Sequence, residues 1–311
     1  MLAILAPGQG AQKSGFLQPW TESASFARGL DWYSAVTGID LTHLGTEADD
    51  ETIRDTAIAQ PLLVAAGALA LAELFGSASL VADDLGEQVV VAGHSVGEIT
   101  AAIATGVVSP ETGMVLVRER GRAMAEAAAV RPTSMTAVLA GDPDEVLAKI
   151  EAAGLTPANN NGPGQVVAAG TVEQLEAFAA DPPNRARLAP LQVAGAFHTV
   201  HMEPAVSHLS SVAAAAPVAD PQLRLLSNRD GAAVSEGRDA LDRIVAQVAN
   251  PVRWDLCLQT LADLGVTGVL EVPPAGTLAG IAKRHLRSAE RFTLNTPDQL
   301  DEARAFVRAH V

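Results

Sequence analysis

The sequence predicts an α/β protein: a parallel-sheet body interrupted by a smaller βαββαβ unit. Three observations carry this. The runs at 2–6 and 88–92 are short, apolar and, at 88–92, rich in β-branched residues, as strands buried on both faces are. Strands of this kind alternate with longer helical stretches before residue 130 and again after residue 195. Between the two halves the order becomes strand, helix, strand, strand, helix, strand, the pattern of a ferredoxin-like unit.

The elements follow in order. The strand at 2–6 ends at Pro7-Gly8-Gln9-Gly10. A long apolar helix is expected over 56–75, capped at or near Thr56, with Pro61 tolerated near its start. The strand at 88–92 runs straight into Gly93-His94-Ser95-Val96-Gly97-Glu98 and a helical stretch at 99–105. Ser109-Pro110-Glu111 opens the next helix, which should reach about Ala129. The inserted unit reads as strand 134–140, helix 142–153, strands 155–159 and 165–170, helix 171–180 and strand 187–193. Alternation then resumes with helix 202–214, strand 223–227, helices 238–249 and 254–264, and strand 267–272. Helix 276–286, strand 291–294 and helix 297–309 close the chain. The Ala/Pro-rich segment 213–221 reads as a surface connection. This assigns residues 1–130 and 195–311 to the body and 131–194 to the insert.

Composition narrows the function. The 311 residues are 48% hydrophobic, enough for a sizeable core. The net charge of −15 argues against binding nucleic acid or an anionic membrane, and 4% aromatics leaves little for base stacking. The single cysteine, Cys257, excludes an internal disulfide and a thiolate metal site, which suits a reducing cytoplasm. The apolar start reads as a first strand, without the positive lead-in of a signal peptide. The apolar stretch 61–75 contains Glu73 and reads as too short to span a bilayer. A soluble monomer is expected, and no metal.

Gly93-His94-Ser95-Val96-Gly97 fits G-x-S-x-G between a strand and a helix. A turn this sharp leaves little room for side chains, hence the glycines, and it exposes the serine Oγ at a helix start. The N–H of Val96 then points at the reacting oxygen, where the helix dipole favours negative charge. A serine nucleophile needs a base. His198 and His201, in the loop leaving the insert, are both candidates, whereas the side chain of His94 should point away from Ser95. His198 follows Ser95 by 103 residues and no acid stands out between them. The third member of such a triad is therefore not expected to be a carboxylate. Gly8-Gln9-Gly10 allows close backbone approach, and an amide of Gln9 can donate into an oxyanion site. Arg118, Arg120 and Arg122 cannot all face one way on a helix, so two should be solvated and a buried one would need an anion. By the elbow alone, a serine hydrolase of esters or thioesters is an equal reading. A non-catalytic binding module is a third, disfavoured by the intact set of candidate residues.

Together these motifs resemble the malonyl-CoA:acyl-carrier-protein transacylase family over almost the whole chain. The likeness runs through Gly8-Gln9-Gly10-Ala11-Gln12, Gln60-Pro61, the serine motif, Arg120-Gly121, Asn159-Asn160-Asn161-Gly162-Pro163-Gly164-Gln165 and Phe197-His198. It continues through 247–254 and Glu271-Val272-Pro273-Pro274 to Leu278. The resemblance implies a hydrolase-like α/β body with a ferredoxin-like insert and a cleft between them. It implies Ser95 as the nucleophile that becomes malonylated and His198 as general base, oriented by the backbone carbonyl of Gln247. It implies Gln9 and the N–H of Val96 as the oxyanion hole, and Arg120 as the fork for the substrate's carboxylate. Phe197 and Val96 match the pattern of malonyl-selective members, so malonyl is expected over methylmalonyl. Malonyl-CoA is the implied donor and the phosphopantetheine thiol of acyl carrier protein the implied acceptor, in a ping-pong reaction without a permanently bound cofactor. An acidic carrier needs a local basic patch on this acidic chain. Lys283, Arg284 and Arg287 with Arg291 are one choice, and Arg185 with Arg187 the other.

Overall fold

The computed structural model describes residues 1–80, 85–193 and 195–311. Ala194, the last residue of the insert as read from sequence, lies outside the described residues.

The chain begins with β1 (Leu2–Ala6), whose five residues are all buried. Then come α1 (Ala24–Thr37), α2 (Leu41–Thr46) and α3 (Thr56–Phe75). Next are β2 (Val89–Gly93), α4 (Gly97–Ala104) and α5 (Pro110–Ala129). The insert contributes β3 (Thr133–Ala140), α6 (Pro143–Ala152), β4 (Thr156–Asn160), β5 (Gln165–Thr171), α7 (Val172–Ala180) and β6 (Ala186–Pro190). The chain returns through α8 (Glu203–Ala215), β7 (Arg224–Leu226), β8 (Ala233–Val234) and α9 (Gly237–Gln247). It ends with β9 (Val252–Arg253), α10 (Trp254–Asp263), β10 (Gly268–Glu271), α11 (Thr277–His285), β11 (Glu290–Thr293) and α12 (Leu300–His310).

One sheet has the order β11-β10-β1-β2-β7-β8 and is parallel except for the β7–β8 hairpin. Its central strands are apolar on both faces because helices cover both. Leu2, Ile4 and Val91 point into one core and Ala3, Leu5 and Val90 into the other. The second sheet, β6-β3-β5-β4-β9, is antiparallel except for β4–β9. The fold is thus the expected hydrolase-like body with a βαββαβ insert. An unforeseen detail is β9, two residues that follow the body's α9 and extend the insert's sheet.

Several boundaries differ from the sequence reading. The cap of α3 is Asp55, whose side chain accepts from the N–H of Ala57. At 20 residues α3 is long and apolar enough to cross a membrane, contrary to the sequence estimate, yet it is a core helix buried along most of its length. The last insert strand stops at Pro190. Helix α1 was not apparent from the sequence, partly because Gly29 interrupts it. That glycine has a packing reason: a Cβ there would stand 2.3 Å from Cδ2 of Leu69 on α3.

Candidate active site

The turn after β2 is forced by contact. A Cβ on Gly93 would stand 1.9 Å from the carbonyl carbon of Gly97, and one on Gly97 would stand 2.2 Å from the carbonyl oxygen of Ala6. The helix α4 therefore starts against the end of β1, and Ser95 sits at the apex with φ of 55°. A left-handed conformation costs a residue with a side chain about 1–2 kcal/mol. It is held by neighbours: the N–H of Ser95 donates to Oδ1 of Asn228 at 2.8 Å, and Nδ2 of Asn228 donates to the carbonyl of Gly93 at 2.7 Å.

Facing the serine is His198, at φ 63° and 3% exposed. Its Nε2 lies 2.8 Å from Oγ of Ser95, and its Nδ1 lies 2.8 Å from the backbone carbonyl of Gln247. A carbonyl only accepts, so Nδ1 carries the proton and Nε2 is the basic nitrogen toward the serine. Burial first, and then the charge of Arg120, push the His198 pKa down to about 3. The imidazole is therefore neutral at neutral pH. The geometry separates His198 from His201, which residue types alone had not done. His201 is in a short helical turn whose N–H is capped by Thr199.

Of the three arginines on α5, Arg118 pairs with the neighbouring Glu119, Arg122 is exposed, and Arg120 is 2% exposed. Arg120 donates from Nη1 to Oε1 of Gln60 at 2.7 Å and from Nη2 to Oε1 of Gln247 at 2.9 Å. Nη2 also lies 3.4 Å from Oγ of Ser95. Burial lowers its pKa to about 10, which leaves it charged at neutral pH. Its immediate partners are neutral amides. The compensating anion is one residue further on, since Nε2 of Gln247 donates to Oε2 of Glu98.

A cleft of about 470 Å³ opens above these groups. Gln9, His94, Ser95, Phe197 and His198 line it from the body, and Asn159, Asn161 and Gln165 from the insert. His94 is turned to the insert, with Nε2 at 2.9 Å from Oδ1 of Asn161 and its ring edge-on to Trp254.

Two expectations need correction. The side-chain amide of Gln9 is committed elsewhere, donating to the carbonyl of Arg54 at 3.2 Å and to the hydroxyl of Thr56 at 3.3 Å. A donor from Gln9 into the cleft would have to be its backbone N–H. The Val96 side chain is 1% exposed in the body's core and does not line the cleft, because the tight turn directs it inward. Only Phe197 of the two selectivity candidates borders the cleft.

Sequence reasoning passed over Asn228, Gln60 and Glu98 as site residues. Gln60 carried a signal, being a polar side chain within the apolar run of a largely apolar helix. Asn228 had a weaker one, its place just beyond a strand's carboxyl end, where sites of α/β folds collect.

The acyl transferase domain model matches residues 5–303. A malonyl CoA-acyl carrier protein transacylase of Mycobacterium tuberculosis is 49% identical over 302 residues, 97% of this chain and 99% of that protein. The chain belongs to the malonyl-CoA:acyl-carrier-protein transacylase family. A transacylase of the same name from Bacillus subtilis is 31% identical over 97% of this chain and 96% of its own. The crystal structure of the Mycobacterium tuberculosis protein superposes with a TM-score of 0.92, at 49% identity over 97% of this chain and 99% of that one. A type II PKS acyl-carrier protein in complex with its malonyl-transacylase gives a TM-score of 0.88, at 28% identity over 98% of this chain and 99% of that chain.

Proposed function

We propose that this chain moves a malonyl group from malonyl-CoA to the phosphopantetheine thiol of an acyl carrier protein, through a malonyl ester on Ser95. The observation that carries the reading is the buried Arg120, whose Nη2 stands 3.4 Å from Oγ of Ser95. A guanidinium fork beside a nucleophile selects an acyl group with its own carboxylate. A neutral acyl chain would leave that cation in a desolvated site with only neutral groups beside it. Holding the carboxylate also fixes the thioester against the serine.

His198 takes the proton of Ser95 Oγ through Nε2 as Oγ bonds to the thioester carbon. The oxyanion is held by N–H groups of Gln9 and Val96. The carbon–sulfur bond breaks, and CoA leaves with the proton from His198. The carrier thiol then repeats the steps on the serine ester, losing its proton to His198, and Ser95 recovers its hydrogen. The low basicity of the resting imidazole rises during the reaction. The malonyl carboxylate offsets the charge of Arg120, and the oxyanion favours the imidazolium.

The docking face for an acidic carrier is the exposed run Lys283, Arg284 and Arg287. Its support is position: α11 lines the cleft with Thr277, Leu278 and Ile281, and Arg284 donates to Gln165 on the opposite wall. The body is residues 1–130 and 195–311 and the insert 131–194, a division supported by the separate insert core of Val138, Val146, Ile150 and Phe178. The working form is a cytoplasmic monomer that feeds extender units to fatty-acid or polyketide synthesis.

The test is intact-protein mass spectrometry after brief incubation with malonyl-CoA, before and after addition of holo carrier. A malonyl adduct that is absent in Ser95→Ala and chases to the carrier thiol is the expected result. An adduct lost to water at the same rate with or without carrier would make the protein a hydrolase.

A further inference from the structure

Glu98 stands one turn of α4 beyond the nucleophile and is 3% exposed. Both of its carboxylate oxygens accept hydrogen bonds: Oε1 from the N–H of Asn228 at 2.6 Å, and Oε2 from Nε2 of Gln247 at 2.5 Å. The other end of the Gln247 amide, Oε1, accepts from Nη2 of Arg120 at 2.9 Å. One neutral amide is thus clamped between a buried cation and a buried anion. Its orientation is set by them, because a guanidinium offers only N–H and an ionised carboxylate only lone pairs, and by Oδ1 of Asn228, which accepts from the same Nε2 at 3.0 Å. Turned over, it would set donor against donor at Arg120 and acceptor against acceptor at Glu98.

We propose that ionised Glu98 is a positioning residue for malonyl selection: it holds the Gln247 amide so that an acceptor faces Arg120, and so sets the guanidinium beside Ser95. This rests on the reading of Arg120 as the carboxylate fork. The same residue's carbonyl holds His198, but that carbonyl belongs to the backbone at the end of α9 and does not depend on which way the amide points. Glu98 therefore governs discrimination between acyl groups more than the rate of attack.

The charge of Glu98 is the control. Arg120 on α5, Arg243 on α9 and the Cys257 thiol on α10 face it, along with the donors Ser227 and Asn228. Burial pushes its pKa up to about 7, against the pull of the Asn228 N–H, Arg120 and Arg243. A protonated Glu98 has an O–H to place where both neighbours already donate. The Gln247 amide then turns over to accept it, giving up its bond to Oδ1 of Asn228, and presents N–H groups to Arg120. A Glu98→Gln side chain, which carries an NH2 toward Gln247, imposes the same inversion at every pH.

The experiment is transfer to holo carrier from malonyl-CoA and acetyl-CoA in competition, over about pH 5.5 to 8.5, where the substrate carboxylate stays ionised. Glu98→Gln is expected to lower the malonyl-to-acetyl ratio by about tenfold, the size of one charge-assisted hydrogen bond, chiefly through KM for malonyl-CoA. The wild-type ratio should fall as pH drops below about 7, and the variant's ratio should be flat. A wild-type ratio constant across the range, or a Glu98→Gln ratio equal to or above wild type, overturns the role of Glu98. If the variant does not fold, the wild-type pH series decides. Failure of the wild type to transfer malonyl at all would overturn the functional reading instead.

Discussion

Nδ1 of His198 lies 2.8 Å from the backbone carbonyl of Gln247, so the imidazole facing Ser95 is oriented by a peptide group. A peptide dipole fixes the tautomer but supplies no full charge to stabilise an imidazolium. That explains why burial and Arg120 are able to bring the His198 pKa down to about 3.

Stability should respond to acid through this group. The folded pKa of about 3 lies below the ordinary value of 6.5, so the folded state binds this proton less readily than the unfolded chain. The contribution is complete above pH 6.5 and is lost as pH falls toward about 3. Glu98 works in the opposite sense. Its contribution is complete below 4.5 and is lost as pH rises through about 7. Thermal melts of His198→Gln should therefore decline less steeply than wild type between pH 6.5 and 4.5. Parallel declines would show that His198 is not the acid-sensitive group.

Arg120→Lys should keep a positive charge and lose selectivity. An ammonium does not present two parallel N–H bonds, and Gln60 and Gln247 would no longer share one rigid partner. The malonyl-to-acetyl preference is expected to fall about 10- to 100-fold in competitive transfer. A preference equal to wild type would mean that charge alone suffices.

Phe197 is 6% exposed, precedes His198 and borders the cleft. Phe197→Ala should raise the methylmalonyl-to-malonyl ratio of kcat/KM by about tenfold, the scale on which one methyl group is discriminated in an apolar pocket. If wild type already uses both esters equally, the ring is not a gate.

The elbow glycines can be tested by folding. Gly97→Ala would put a Cβ 2.2 Å from the Ala6 carbonyl oxygen, a backbone atom of the central strand. The cost should exceed about 3 kcal/mol, because the clash is with backbone and not with the end of a flexible side chain. Gly280→Ala on α11, where nothing lies within 4 Å, should be neutral or stabilise by up to about 1 kcal/mol. Similar melting temperatures for the two variants would contradict the packing argument.

Much of this was legible before the structure. The strands at β1 and β2 announced themselves because burial on both faces removes all alternation. The serine motif was readable because only glycine fits at Gly93 and Gly97. Other features lacked a local signal. Helix α1 buries only Phe26, Leu30, Tyr33 and Thr37, a sparse stripe broken by Gly29. Strand β9 is two residues long and exists only because the chain leaving α9 meets β4. The link from Arg120 through Gln247 to Glu98 joins α5, α9 and α4. Residues 127 and 149 positions apart leave no pattern in a single sequence.

Gln247 also has a lesson for genetics. Its carbonyl serves the histidine, whereas its amide serves the arginine and the carboxylate. A mutational scan replaces side chains and leaves carbonyls in place. Position 247 would therefore score as a determinant of which acyl group is accepted, and its part in orienting the base would go unrecorded. Detecting that part would require altering the path of the main chain between α9 and β9, where no exchange of one side chain for another reaches it directly.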